Sequence, residues 1–375
     1  MFVYGGFGAL FSATSRYAHE WLGASRGTSG FSVSIFFVAA VFTRPLVGRI
    51  IDRRGRRLFL VVPPFALAAL MLAFHFAHSI AVLLAIRFAQ GAVGAGFYVA
   101  AVAASTDLTP PQKRASAVAR LSLALYLGFA IGPTIGELLL DYGPGVAWTT
   151  LSITTLAGAL ICASLPETRS PATDDSQVRS PIVHRLAILP GIAMLALGVG
   201  YASITAQSAL FARTLKLSSS DGLYAAFAIT VLLVRLVSGK MADQRGVVVV
   251  VYTGIASFIV GFATLTQARV VAPAVVGIMF VACGWALVLP AQTAWLADRA
   301  DDAQRGAAVG SLVAFMDIGQ GAGGYLVGAI ADRHGFGWGF GLPLVLAVAA
   351  LAVTTQVPKP SKPSRAEPNP DFVAP

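Results

Sequence analysis

Charge is scarce in this chain of 375 residues. Charged side chains make up 12% of it, against roughly 25% in soluble domains. So few charges cannot cover a globular surface, and most of the exterior must face lipid. Cysteine is scarcer still: Cys162 and Cys283 both lie within apolar runs, which excludes a disulfide framework. Acids are rarer than bases, with 17 Asp and Glu against 27 Lys and Arg and a net charge of +10. A surplus of that sign suggests nucleic acid, but no basic stripe with interleaved aromatics is present, and no nucleic-acid partner is expected. No His-Glu-x-x-His, phosphate-binding loop or catalytic triad occurs, so neither an enzyme nor a cofactor is expected. His75 with His78, and His19 beside Glu20, lack thiols or a complete ligand set, so no metal is expected either. No cleavage site of the Ala-x-Ala kind follows the first apolar run.

Apolar length is what the chain has: 56% hydrophobic residues and a mean hydropathy of +0.75. Twelve runs of spanning length are predicted at roughly 2–22, 29–51, 58–77, 80–105, 115–140, 146–165, 187–211, 222–242, 247–267, 270–296, 306–331 and 337–357. Loops are short and nothing reads as a strand, so the expected fold is an all-α bundle of membrane-spanning helices. Eighteen Lys and Arg fall on one side. Only Arg16, Arg26, Arg213, Lys216, Arg269 and Arg333 fall on the other. Basic loops stay in the cytoplasm, which puts both termini there. The stretch 166–186 is polar and rich in Pro and Ser, and reads as a cytoplasmic linker between halves spanning 1–165 and 187–357. The Pro-rich tail 358–375 is too polar to fold by itself.

The most informative stretch is Arg44 to Arg57, where an apolar run stops in a cluster of charge. Its pattern returns at a constant shift of 191: Arg44 falls on Arg235, Gly48 on Gly239, Asp52 on Asp243 and Gly55 on Gly246. Without a gap, Asp107 then falls on Asp298, Gly128 on Gly319, Gly132 on Gly323 and Asp141 on Asp332. Glycine and charged residues do not match by chance as Ala, Leu and Val do, so the chain is two similar halves in the same orientation. The repeat also carries Ala187, where the seventh span begins, to a position before residue 1. The chain is therefore expected to start downstream of its true beginning.

Gly48-x-x-x-Asp52-Arg53-x-Gly55-Arg56-Arg57 resembles the loop motif between the second and third helices of the major facilitator superfamily. Its simpler reading is a positive-inside anchor. In the fourth span, Arg87-x-x-Gln90-Gly91 resembles that superfamily's Arg-x-x-Gln-Gly motif. In the fifth, Gly128-x-x-x-Gly132-Pro133-x-x-Gly136 resembles the helix-packing motif of its antiporter branch. There the family's second Gly is replaced by Glu137. Gly319 to Gly324 formally fits Gly-x-Gly-x-x-Gly, but it lies inside an apolar run and is the second-half counterpart of the packing motif, not a dinucleotide loop.

The resemblance covers essentially the whole chain. It implies twelve transmembrane helices in two parallel six-helix repeats, in a multi-pass protein of a bacterial inner membrane, expected to be a monomer. It implies alternating-access transport of a small solute with protons as the coupled ion, by antiport efflux. Import or passive facilitation is the alternative, and a non-transporting sensor a more distant one. Gly48, Asp52, Arg53, Gly55, Arg56, Arg57 and Asp107, with their second-half partners Gly239, Asp243 and Gly246, form the expected latch of the basic face. By family geometry, Tyr17, Gln90, Tyr98, Gln207, Trp285 and Gln292 are candidates for lining the cavity; each is equally readable as a packing residue.

Asp317 is the first candidate for proton coupling. It falls eleven residues into its span, about 17 Å deep in a hydrocarbon core of about 30 Å, and intramembrane acids are functional more often than not. Its repeat partner is Tyr126, so the first half offers no matching acid. Glu137 and Glu20 come next, with Arg87 in the same set. Glu137 reads foremost as an interfacial acid reaching water. Arg87 either faces a cavity or partner, or snorkels toward the headgroups. Leu139 is expected to face lipid.

Overall fold

Lipid offers the backbone no hydrogen-bond partner, so a chain with these apolar runs satisfies its amides within helices. The computed structural model describes residues 2–54, 56–110, 114–166, 184–300 and 305–354. Among these, no strand occurs, and the α-helices are α1 (Phe2–Glu20), α2 (Arg26–Arg54), α3 (Arg57–Leu72), α4 (Ile80–Gly94), α5 (Phe97–Asp107), α6 (Arg114–Asp141), α7 (Pro144–Ala163), α8 (Ile188–Thr214), α9 (Asp221–Arg245), α10 (Val247–Gln267), α11 (Val271–Arg299), α12 (Arg305–His334) and α13 (Phe336–Thr354). Helices α1–α7 form one half and α8–α13 the other, giving twelve spans in two six-helix repeats. The linker expected at 166–186 lies largely outside the described residues, and the tail expected at 358–375 wholly so.

The fourth span is not the continuous helix 80–105 that its apolar length predicts. It breaks at Ala95 and Gly96 into α4 and α5. Gly91, Gly94 and Gly96 weaken helix propensity there, and the ring of Phe7 packs within 2.9 Å of where a Cβ on Gly94 would stand.

Among the described residues, seven helices are long and apolar enough by themselves to cross a bilayer. α1 is not among these seven: it is rich in Gly, Ser and Thr, and most of it is buried inside the bundle. Without a hydrophobic force between helices in lipid, close approach of backbones has to hold them. On α6, Gly128 rests on Tyr4, Gly132 on Gly8 and Ala9, and Gly136 on the Ala9 carbonyl of α1. At the equivalent positions of the second half, Gly319 rests on Leu195 and Gly323 on Val199 of α8. The Ser12 hydroxyl donates to the Pro133 carbonyl at 2.9 Å, so the α6 proline adds a hydrogen bond to the same seam. The 191-residue shift therefore relates contacts as well as letters.

The two halves touch through α2–α12, α6–α9, α1–α8 and α2–α8. The described bonds across this boundary gather at the face opposite the basic turns, called the closed face below.

A Cβ at Gly132 would stand 2.6 Å from backbone atoms of Gly8 and Ala9. Gly132→Leu is therefore expected to force α1 from α6 and lower the thermal midpoint in detergent by several degrees, since overpacking costs about 1–3 kcal/mol. The control is Leu138→Ile, at a side chain that is 45% exposed, which should be silent. Leu139 is unsuitable: contrary to its expected lipid-facing position, it is partly buried against the cluster containing Trp148 and Leu140. Equal midpoints for both variants would remove Gly132 from the interface.

Candidate functional site

At the basic face, α2 carries Gly48, Asp52 and Arg53 in its last turns and α9 carries Gly239 and Asp243. The side chains at these positions, and Gly55, lie outside the described residues, as does the side chain of Tyr98. Gly246 joins α9 to α10 with φ 83°, a conformation that favours glycine. Arg56 pairs with Asp107, and Arg57 donates to the Ala163 carbonyl at 3.4 Å. All four residues belong to the first half. The described part of the expected latch thus ties the α2–α3 turn to the ends of α5 and α7, and braces one half internally.

At the closed face the halves are joined directly. The α2 N-terminus is capped from the other half: the Asp332 carboxylate accepts from the backbone amides of Arg26 at 3.0 Å and Gly27 at 2.9 Å. This satisfies two of the donors that a helix start leaves open and sets a negative charge at the positive dipole end. Arg26 returns a bond to the Ala331 carbonyl at 2.8 Å. Gln207, a cavity candidate by sequence, instead donates to the carbonyls of Arg26 and Gly324, both at 3.0 Å, and stitches this seam. Ser15 donates to the Ala206 carbonyl at 2.5 Å. Arg16 contacts Glu20 at 3.0 Å, Glu137 at 3.2 Å and Asp141 at 2.8 Å, while Glu20 also meets Arg213 of the other half at 2.8 Å. Glu137 does not reach water as its place near a helix end suggested. It is fully buried and accepts from the Ser220 hydroxyl, just ahead of α9, at 2.8 Å.

Polar groups also occupy the interior. Arg87 does not snorkel: it is fully buried, donates to the Ser32 carbonyl at 2.9 Å and to the Gln90 side-chain oxygen at 3.0 Å, and lies over the rings of Phe11 and Phe36. One guanidinium nitrogen of Arg87 and the Gln90 amide nitrogen have no hydrogen-bond partner among the described residues. Trp285 stacks on Tyr201 at 4.3 Å, and Tyr201 donates across the halves to the Phe129 carbonyl at 3.0 Å. Asp317 is buried on α12, and one turn on, Gln320 is buried with neither side-chain amide atom hydrogen-bonded among the described residues. Two cavity candidates lie elsewhere. Tyr17 donates to the Ala77 carbonyl and packs between Trp21 and Trp148, inside the first half. Gln292 faces a small cleft with Pro190, Val251 and Thr354, all of the second half.

Ser220, Asp332 and Tyr201 were not singled out from sequence. The matching of Asp141 with Asp332 was the available signal, although Asp141 pairs with Arg16 inside its own half while Asp332 caps a helix of the other half.

The family model described as Major Facilitator Superfamily matches residues 1–299 and 223–375. An uncharacterised MFS-type transporter of Salmonella typhimurium is 25% identical over 337 residues, covering 85% of this chain and 84% of that one. Multidrug resistance protein MdtG of Proteus mirabilis is 30% identical over 205 residues, 52% of this chain and 50% of its own length. The match spans about half or less of the length of several other relatives too. Among solved structures, a D-xylose-proton symporter superposes with a TM-score of 0.80 at 15% identity, covering 96% of this chain and 95% of that one. At that identity the likeness shows the fold.

The cross-half cap generates a prediction. Asp332→Ala is expected to weaken closure of this face by about 1 kcal/mol, the usual worth of a helix cap, while Asp332→Asn retains an acceptor and most of the closure. Spin labels at the exposed Trp21 and Trp338, one in each half, would report a longer distance for the Ala variant. An unchanged distance distribution would show that the cap does not hold the halves together.

Proposed function

The chain belongs to the Major Facilitator Superfamily, and we propose that it is a secondary active transporter exporting a small solute in exchange for protons by alternating access. The observation supporting this is the pairing of one closed face with a polar interior. Buried Arg87, Gln90, Asp317 and Gln320, contributed by both halves, lie in a bundle whose halves are joined by separable bonds. A bundle needed only as a scaffold gains nothing from such residues, since buried polar groups are costly in lipid. The relative named a multidrug resistance protein favours export over uptake.

In this reading the basic face is cytoplasmic and the closed face external, in a bacterial inner membrane, and the protein works as a monomer. The units 1–165 and 187–357 rock against each other, with 166–186 as their tether. Asp52, Arg53, Arg56, Arg57 and Asp107, with Asp243 in the second half, steady the cytoplasmic side. Asp317 takes up and releases the coupled proton. One proton entering down about 100 mV releases about 2.3 kcal/mol, enough for about a fortyfold solute gradient.

A panel of solutes in everted vesicles, followed with a pH-sensitive dye, tests the exchange. Solute entry with proton release from the lumen is expected for at least one compound; solute movement with no proton flux would make the protein a facilitator. Asp317→Asn is expected to abolish accumulation driven by a pH gradient while leaving solute-for-solute exchange intact. Uphill transport by that variant would make Asp317 a packing residue.

A further inference from the structure

The closed face has few bases, and they fall into two groups. Arg16 and Arg213 are matched by Glu20, Glu137 and Asp141. Arg26 and Arg269 are not: among the described residues, neither guanidinium pairs with a carboxylate. Both instead line one cavity of about 540 Å³, together with His334, Phe336 and Trp338. That volume lies within the range of about 300–1,000 Å³ found for small-molecule sites. No Asp or Glu is among the described residues that line it. The acid two positions before His334, Asp332, already accepts from the amides of Arg26 and Gly27.

Arg26 is fixed at the cavity wall. Its guanidinium lies 4.9 Å from the centre of the Phe336 ring, and one nitrogen donates to the Ala331 carbonyl at 2.8 Å. The remaining N–H groups are left for an occupant. Arg269 stands exposed in the short turn between α10 and α11. His334 ends α12, with its ring 6.3 Å from that of Trp338. Like charges brought together without an acid repel, and an anion among them removes that cost. A guanidinium presents a fork of donors that matches two oxygens of a phosphate or carboxylate. Depth selects between these. Trp338 is 72% exposed, and Val270, next to Arg269, is 61% exposed. An exposed indole and an exposed apolar side chain at a helix end mark the headgroup layer, where phosphate is the abundant anion. The cavity also crosses the boundary between halves. Arg26 comes from the first half, and every other described residue that lines it comes from the second.

We propose that this cavity binds a phosphate anion, carried by a lipid headgroup or by a soluble molecule, and that the anion ties the two halves together at the closed face. Its oxygens accept from Arg269 and His334 of the second half and from Arg26 of the first. Parting of the halves carries Arg26 away and leaves the anion with fewer donors. Binding and closure therefore favour each other, by the reciprocity of linked equilibria. The consequence for transport rests on the alternating-access reading, whereas binding and closure are measured without solute.

The test uses the full chain in maltoside micelles, which carry no phosphate. Cys162 and Cys283 are replaced by Ala, and spin labels stand at exposed Tyr142 and Ser218, one in each half. One arm adds phosphatidylglycerol. The other adds sodium phosphate, against sodium chloride at equal ionic strength. At least one arm is expected to raise the closed-to-open ratio about tenfold. The same titrations in Asp332→Ala, with its cap removed, leave room for the gain where the parent is already closed. Arg269→Gln combined with His334→Gln changes two exposed side chains and should abolish the gain. A response to phosphatidylglycerol alone identifies a lipid phosphate as the occupant. A response to sodium phosphate alone identifies a soluble one, and a response to both shows that the phosphate group suffices. No change in either arm, in the parent and in Asp332→Ala, overturns the proposal, as does a gain that the double variant keeps. Distances that respond as expected in a protein that moves no solute would count against the transport reading alone.

Discussion

Two helices in lipid come within backbone contact only where the side chains between them are very small, and three seams of this bundle depend on that condition. Gly8, Gly128, Gly132 and Gly136 set α1 against α6; Gly198, Gly319 and Gly323 set α8 against α12; Gly27, Gly30, Gly324 and Gly328 bring α2 and α12 together across the halves. Apolar side chains gain little by meeting each other in a solvent of the same polarity, so dispersion at short range and hydrogen bonds to exposed carbonyls have to do the holding. The same condition explains why α1, most of which is buried, carries so many Gly, Ser and Thr residues. Residues that permit close contact are small, and the hydroxyls among them find carbonyls next door, as Ser12 finds Pro133 and Ser15 finds Ala206.

The halves share a mould but are filled differently. Contacts within each half, α1 on α6 and α8 on α12, repeat position for position. Contacts between halves do not: α2 and α12 meet through glycines, the Gln207 amide and the Asp332 cap, whereas α6 meets the start of α9 through Glu137 and Ser220. A pseudo-symmetric protein can fill its equivalent junctions differently, because substitutions at one copy of a repeat leave the other untouched.

Much of this fold was legible in the sequence, because length, apolarity and the shift of 191 are properties of the chain read in order. Spans, repeat and packing glycines follow from them. The break at Ala95–Gly96 was not expected, although Gly91, Gly94 and Gly96 signal weak helix there; the Phe7 ring packed against Gly94 comes from another helix and cannot be read in order. Nor was the burial of Glu137: counting residues from a helix end places it near water, and it is Ser220, 83 positions away, that covers it. Tyr17 and Gln292 show the same limit. Helical depth can be counted, but the direction a side chain faces among several neighbours is set by tertiary packing. The basic-face motif stood out as a pattern, yet its described ion pair, Arg56 with Asp107, lies within one half, and spacing alone carries no information on which half a partner belongs to.

The cap that Asp332 places on α2 joins two scales of motion that are usually treated apart. When the halves separate at that end, the amides of Arg26 and Gly27 lose their acceptor, and the first turn of α2 has to be satisfied by water or unwind. Rigid-body rocking and local helix fraying are then one event, with the order of a single helical turn registering the position of an entire half.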